Sequence, residues 1–158
     1  MVNIRRATVQ DARALSDIAY HSEAYWGYDQ EYMENFRSLY RVTEEFISHN
    51  RTYVLEDQNR ILGFYGLAAR EPVSSLEYFF IDPQSIGRGY GKLLWEHLLE
   101  FTCQSAGIKE FEIVTSPQAQ EFYTKLGAVC LGEVESLLKK GRMIPCLVYG
   151  LPASRYEK

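Results

Sequence analysis

The sequence predicts one α/β domain on a mixed, partly parallel central sheet of about six or seven strands with flanking helices. Three observations predict it. Apolar patterning and turn signals read, in order, as strand, helices, three strands, helix, strand, helix and two strands. A long helical stripe after residue 92 joins two strand-like runs, and two strands joined across a helix run parallel. With 158 residues, 46% of them hydrophobic and 14% aromatic, the chain has the material for one sizeable core, whereas two domains would each be small.

Residues 4–7 read as the first strand. Thr8 with Asp11 three residues on has the form of a helix N-cap with an acid in the first turn, and Ala12, Leu15, Ile18 and Ala19 recur at helical spacing to about Tyr20. From His21 to Asn50 the pattern is less regular. Tyr25, Trp26, Tyr28, Tyr32, Phe36 and Tyr40 are spread over helical pieces that Gly27 interrupts and Thr43 reopens as a second N-cap. Six acids (Glu23, Asp29, Glu31, Glu34, Glu44, Glu45) against two bases (Arg37, Arg41) give this stretch a charge of −4. Two readings stand: an acidic aromatic lobe that attracts cationic ligands, or solvated helix faces over packed aromatics.

Residues 52–57 and 61–69 flank Gln58-Asn59-Arg60 as a hairpin, with Gly63 and Gly66 weakening the second strand and marking a bulge. Residues 75–81 form the next strand. Leu93, Leu94, Leu98 and Phe101 then give a helical stripe that Gly107 ends, followed by a strand at 111–115. A helix at 117–126 starts on Pro117 and stops at Gly127. Strands at 128–134 and 144–151 close the chain around the polar loop Lys139-Lys140-Gly141-Arg142. A closing strand with an open edge would allow a homodimer.

Charge and composition exclude several functions. The formal net charge is −4 with no basic run, which argues against a nucleic-acid partner. The N-terminus lacks the apolar core of a signal peptide and no apolar run is long enough to span a bilayer, so a cytoplasmic protein without a membrane partner is expected. Cys103, Cys130 and Cys146 form no CxxC pair and read as reduced thiols, and no histidine stands at a recognisable spacing to serve a cysteine acyl-enzyme. His21, His49 and His97 lack metal-site spacing, and no metal is expected.

Chemistry concentrates between Ser75 and Lys92. A strand-like run stops at Asp82-Pro83, and Gly87-Arg88-Gly89-Tyr90-Gly91-Lys92 opens a helix, where unpaired N–H groups, the helix dipole and glycine's lack of a side chain favour a bound anion. A Walker A loop fails because three residues, not four, separate Gly87 from Gly91 and Leu93 follows Lys92. A dinucleotide fingerprint fails because Lys92 occupies its last glycine position.

The same run resembles motif A of the GNAT acetyltransferase superfamily, Q/R-x-x-G-x-G/A, which holds the pyrophosphate of acetyl coenzyme A. Gln84-Ser85-Ile86-Gly87-Arg88-Gly89 matches literally, but counting from the strand end aligns Ile86-Gly87-Arg88-Gly89-Tyr90-Gly91, the register adopted here, with Ile86 where the family has Gln or Arg. Ser116 to Ala128, with Gln118, Phe122, Tyr123, Lys125 and Gly127, is similar to the superfamily's motif B. Gln118 stands where relatives often have Asn. The resemblance implies a single GNAT-like domain over residues 1–158, with acetyl coenzyme A as cosubstrate and coenzyme contacts at Phe80, Ile81, residues 86–92, Gln118 and Phe122.

It further implies direct attack of an amine on the thioester. An alkyl amine with a pKa near 10 is only about 0.1% neutral at pH 7, a deficit of roughly 4 kcal/mol that a base must help remove. Glu77, sharing a strand face with Ser75 and Phe79, is the candidate base, with a cross-strand ion pair as its other reading. Tyr123 would hydrogen-bond the leaving thiolate. Tyr25, Trp26, Tyr28, Ser136 and Arg142 lie in stretches similar to a bacterial subgroup of the family and are the candidate acceptor contacts, Arg142 as a partner for a carboxylate or for a coenzyme phosphate. The implied function is an N-acetyltransferase for a primary amine, most simply a small molecule. The alternative is a non-catalytic acyl-coenzyme A binding or sensing domain, which the departures at Ser75, Ile86 and Gln118 favour.

Overall fold

A computed structural model describes residues 1–155 of the chain. β1 (Val2–Arg6) is followed by a short 3-10 turn in which Thr8 and Asp11 form a capping box, and the Arg5 guanidinium holds the Asp11 carboxyl below its ordinary range. α1 (Ala12–Ala24) runs four residues beyond the expected end, because nothing breaks it before Gly27, whose φ of 81° turns the chain. The extension carries Ser22 and Glu23 into the site described below. α2 (Gln30–Leu39) starts on Asp29, whose Oδ1 accepts from Tyr32 N at 2.8 Å, and α3 (Glu44–His49) on Thr43, whose Oγ1 accepts from Phe46 N at 3.0 Å.

β2 (Arg51–Asp57) and β3 (Arg60–Ala68) form the expected hairpin, turned by Gln58 and Asn59 at φ of 50° and 68°. β4 (Ser74–Ile81) pairs antiparallel with β3, and the register shifts beside Gly66. Both β3 glycines permit close approach: a Cβ at Gly63 would stand 2.8 Å from the Phe80 carbonyl oxygen, and one at Gly66 would stand 2.7 Å from the Phe46 ring. The bulge corrects the expected strand face. Leu76, not Glu77, joins Phe79 and Ile81 in one core cluster, while Tyr78 and Phe80 belong to the other.

α4 (Tyr90–His97), a π-helical stretch at Leu98–Cys103 and α5 (Gln104–Ala106) run on as one helical rod, ended by Gly107 at φ 71°. The buried residues are Leu94, Trp95, Leu98, Leu99, Thr102 and Cys103, whereas Leu93 and Phe101, expected in the stripe, are 45% and 56% exposed. The buried set repeats every four residues rather than every 3.6, as a π-helical stretch widens the turn and carries the inward face past Phe101.

β5 (Glu110–Val114), α6 (Pro117–Lys125), β6 (Val129–Glu135) and β7 (Met143–Gly150) complete one sheet of order β1-β2-β3-β4-β5-β7-β6. Only β4 and β5 are parallel, and they share two registered pairs, Ser74 with Phe111 and Ser75 with Glu112. Beyond Ser75 the two strands have no common register, so the sheet opens as a wedge toward the start of α4. Trp95, Tyr65, Phe111 and Leu98 pack on one face of the sheet, and Leu15, Met33, Phe36 and Phe64 on the other. Fully burying such side chains contributes about 1.5–3 kcal/mol each, which holds the two halves together where backbone pairing stops. β6 forms one edge of the sheet and exposes Val129, Leu131 and Val134. No helix among the described residues is long and apolar enough to cross a membrane.

Candidate active site

The wedge ends at a loop whose geometry follows from its sequence. Asp82 caps a 3-10 turn at Pro83–Ser85, its Oδ1 accepting from Gln84 N at 3.3 Å, while its Oδ2 pairs with Arg60 at 3.0 Å. Arg60 also donates to Gln84 Oε1 at 3.1 Å, so the glutamine of the literal motif is engaged on the turn, one turn before the glycines. Gly87 and Gly89 have φ of 87° and 81°, and no atom lies within 4 Å of a Cβ placed on either. Gly89 is the N-cap of α4, and Arg88 and Lys92 are exposed beside it. The first N–H groups of the helix therefore face outward through side-chain-free backbone with two cations nearby, which fits a pyrophosphate. Gly91 is close-packed, since a Cβ there would stand 3.2 Å from the Phe122 ring.

A cavity of about 370 Å³ runs from this loop through the wedge. Of the residues singled out from sequence, Glu77, Phe80, Ile81, Ile86, Gly91, Gln118, Phe122 and Tyr123 line it, as do Tyr25, Trp26, Ser136 and Arg142. Gly87, Arg88, Gly89, Tyr90 and Lys92 lie outside that lining, on the loop and first turn. The Ile81 carbonyl accepts from Ser22 Oγ at 2.6 Å, so one of its acceptor positions is taken by the protein, while the Phe80 carbonyl is turned toward Gly63 of β3.

Tyr123 sits at the floor of the wedge. It is 5% exposed and packs edge-on against Phe79 with ring centroids 6.0 Å apart. Burial pushes the pKa of its phenol up from the ordinary 10.0. A phenol raised in this way is a poor proton donor to a thiolate, yet it keeps its hydrogen to donate in a hydrogen bond.

The far end of the cavity is built by α1, α2 and the turn between β6 and β7. Glu77 forms an ion pair with Arg70, and its charge, with that of Glu23, helps raise the hydroxyl of the half-buried Tyr40, where burial is the larger cause. Ser136 is buried, with Oγ accepting from Leu138 N at 3.1 Å, which shapes the turn that presents Arg142. Arg142 donates to Tyr28 Oη at 2.7 Å and to Tyr32 Oη at 2.9 Å, and the two rings stack with centroids 4.0 Å apart. Tyr28 also meets Gln118, whose Nε2 lies 2.9 Å from Tyr28 Oη. The sequence placed Gln118 with the coenzyme and Tyr28 with the acceptor, and the structure joins them. Tyr28 borders a second cavity of about 430 Å³ on the outer side of Arg142.

Two residues here were named only as members of the acidic aromatic stretch, not as site contacts. Tyr32 is 7% exposed and donates to Glu23 Oε2 at 2.9 Å. Burial raises the Glu23 carboxyl above its ordinary 4.5, against the opposing hydrogen bond from Tyr32 and the charge of Arg142. The signal available in sequence was the pair of tyrosines four residues apart at the expected start of a helix, whose rings stack with Tyr28 just before the N-cap and Tyr32 in the first turn. Nothing local linked them to Glu23.

No cluster of three or more His, Cys, Asp or Glu side chains that would hold a metal occurs among the described residues. The cysteines are free, and burial pushes the Cys103 thiol up to about 12, far from a reactive thiolate.

Comparison with known proteins agrees with this geometry. A family model described as an acetyltransferase (GNAT) domain matches residues 17–137. No curated protein sequence matches the chain. Among solved structures, the PaiA N-acetyltransferase of Thermoplasma acidophilum in complex with coenzyme A superposes with a TM-score of 0.77 at 18% identity, over 95% of this chain and 99% of that one. The ribosomal-protein-S18-alanine N-acetyltransferase of Escherichia coli gives 0.70 at 17% identity, over 96% and 94%. N-acetylglutamate synthase of Neisseria gonorrhoeae, complexed with coenzyme A and N-acetyl-glutamate, gives 0.70 at 21% identity, over 96% of this chain and 35% of that one. With a family model spanning most of its length, an open parallel β4–β5 pair and a glycine loop at the start of α4, the chain belongs to the GNAT family of acetyl-coenzyme-A-dependent acetyltransferases.

Proposed function

We propose that the whole chain acts as one N-acetyltransferase domain that moves the acetyl group of acetyl coenzyme A to the primary amine of a small molecule. The observation that carries this reading is the continuity of one cavity from the glycine loop, past Tyr123, to a pocket walled by Glu23, Glu77 and aromatic rings. The backbone of residues 87–92, with Arg88 and Lys92, would hold the pyrophosphate, and the wedge edge of β4 up to Ile81 would hold the pantetheine arm. When bound, the cosubstrate supplies a thioester whose carbonyl carbon is the electrophile.

The chain's own residues have separable tasks. Glu77 accepts the proton of the incoming ammonium, and the Arg70 ion pair orients its carboxylate at the cavity wall. The amine nitrogen then bonds to the carbonyl carbon, the carbon–sulfur bond breaks, and sulfur leaves with the electron pair. Tyr123 donates a hydrogen bond to that thiolate. The rings of Tyr25, Trp26, Phe36 and Tyr40 wall off water and receive the rest of the acceptor. Three free cysteines suit a reducing compartment, so the cytoplasm is the proposed location.

The test is release of free thiol from acetyl coenzyme A across a panel of primary amines. Turnover with at least one amine is expected. Tight coenzyme binding without thiol release from any amine would leave a non-catalytic acyl-coenzyme A binding domain instead.

A further inference from the structure

Two opposite charges face the acceptor end of the cavity without a direct ion pair between them. Glu23 is half-buried, and its Oε2 accepts from a neutral hydroxyl, that of Tyr32 at 2.9 Å. Arg142 is half-buried, and its guanidinium donates to two neutral hydroxyls, Tyr32 at 2.9 Å and Tyr28 at 2.7 Å. Neither residue is in an ion pair among the described residues. Both touch the same oxygen, Tyr32 Oη, which accepts from Arg142 and donates to Glu23. One tyrosine thus holds a carboxylate and a guanidinium side by side while keeping them out of direct contact.

Half-buried charges are costly when unpaired, so this arrangement suits a ligand that brings the two complementary charges with it. We infer that the acceptor is an amino-acid-like zwitterion, with its α-ammonium at Glu23 and its carboxylate on the free edge of the Arg142 guanidinium. The two charged groups of an α-amino acid hang from one carbon, which matches a carboxylate and a guanidinium within hydrogen-bond reach of one hydroxyl. Guanidinium offers five N–H donors in a fixed fork, and the two bonds to Tyr28 and Tyr32 leave donors for a carboxylate. Glu23, Tyr40 and the proposed proton acceptor Glu77 line the same cavity, so an ammonium held at Glu23 shares its pocket with Glu77. Tyr25, Trp26 and Phe36 then face the amino-acid side chain, favouring an apolar or aromatic one. A simple monoamine would leave Arg142 without an anion, and a diamine would bring a second cation toward it.

The inference rests on the acetyltransferase reading for its setting, but its test is a binding measurement. Free amino acids and their decarboxylated amines are titrated calorimetrically, pair by pair, into wild-type protein saturated with coenzyme A. At least one amino acid is expected to bind, and its decarboxylated partner to bind about 10- to 100-fold more weakly, the effect of losing a charge-assisted hydrogen-bonded pair. Arg142→Met should weaken the amino acid by a similar factor and leave the amine's affinity within about two-fold, with a single cooperative melt and retained coenzyme A binding reporting an intact fold. Amines that bind as tightly as their parent amino acids, or no binding by any amino acid, would overturn the inference. Zwitterion binding without thiol release would instead overturn the transfer reading and leave this one standing.

Discussion

Tyr28 and Gln118 meet across the mouth of the cleft, with Gln118 Nε2 2.9 Å from Tyr28 Oη although 90 residues separate them. The contact ties the loop before α2 to the first turn of α6, and Arg142 braces it from behind. Gln118→Ala should therefore raise the acceptor KM several-fold, about 1 kcal/mol for one hydrogen bond, while the acetyl coenzyme A KM stays within about two-fold. Steady-state kinetics with each substrate varied in turn decides it. A rise in the coenzyme KM alone would return Gln118 to the coenzyme.

Tyr123 is the proposed partner of the leaving sulfur, and burial holds its phenol protonated. Tyr123→Phe keeps the ring against Phe79 and removes the hydroxyl. The expected result is a fall in kcat of about 10- to 100-fold with coenzyme affinity nearly unchanged. An unchanged kcat removes Tyr123 from the chemistry.

Glu77 has two readings that one variant separates. As the proton acceptor, its replacement in Glu77→Gln lowers kcat by about 10²- to 10⁴-fold and removes a limb from the pH profile. As only the ion-pair partner of Arg70, the same change would cost about 0–1 kcal/mol of stability and leave kcat alone.

Burial holds the Glu23 carboxyl above its ordinary 4.5 in the folded chain. A carboxyl with a folded pKa above its unfolded one favours the folded state when protonated, and that contribution is lost as pH rises through the folded value. The Glu23 charge therefore destabilises the protein near neutrality. Glu23→Gln, which still accepts from Tyr32, should raise Tm by about 1–4 °C at pH 8 and by progressively less toward pH 4.5. Thermal melts of both proteins across that range test it; a gap independent of pH contradicts a desolvated carboxylate.

Gly89 takes φ 81° as the N-cap of α4, in space open to a side chain. Gly89→Ala meets no clash, so its cost is backbone strain of about 1 kcal/mol, or about 2–4 °C in Tm. Coenzyme affinity should fall as well, because the first N–H groups tilt away from the phosphates. Calorimetric titration with coenzyme A measures the second effect independently of the first.

The legible features in the sequence were those set by local chemistry. Thr43 capping a helix, Gln58-Asn59 turning a hairpin and Gly107 ending a helix each act through neighbours a few residues away. Glu77 lost its expected face because a bulge opposite Gly66 inserts one residue into β4, which depends on how tightly β3 packs on Phe46 and Phe80. Phe101 moved out of the core for a similar reason, since the π-helical turn is stabilised by tertiary packing of Thr102 and Cys103. The Glu23–Tyr32–Arg142 chain was hidden because its members come from the end of α1, the start of α2 and a turn more than 100 residues later.

The two-pair contact between β4 and β5 makes this sheet an unfinished seam. From Leu76 to Ile81, six residues at about 3.3 Å each, β4 offers roughly 20 Å of backbone with no registered partner on its β5 side. A donor carrying its thioester on a long arm with amides can be stitched into that length and tensioned against the glycine loop at its other end. A thioester on a short stub, such as an acetylated cysteamine, has neither the stitches nor the anchor. Such a seam would read donors by arm length before their acyl group, a gauge set by where two strands part.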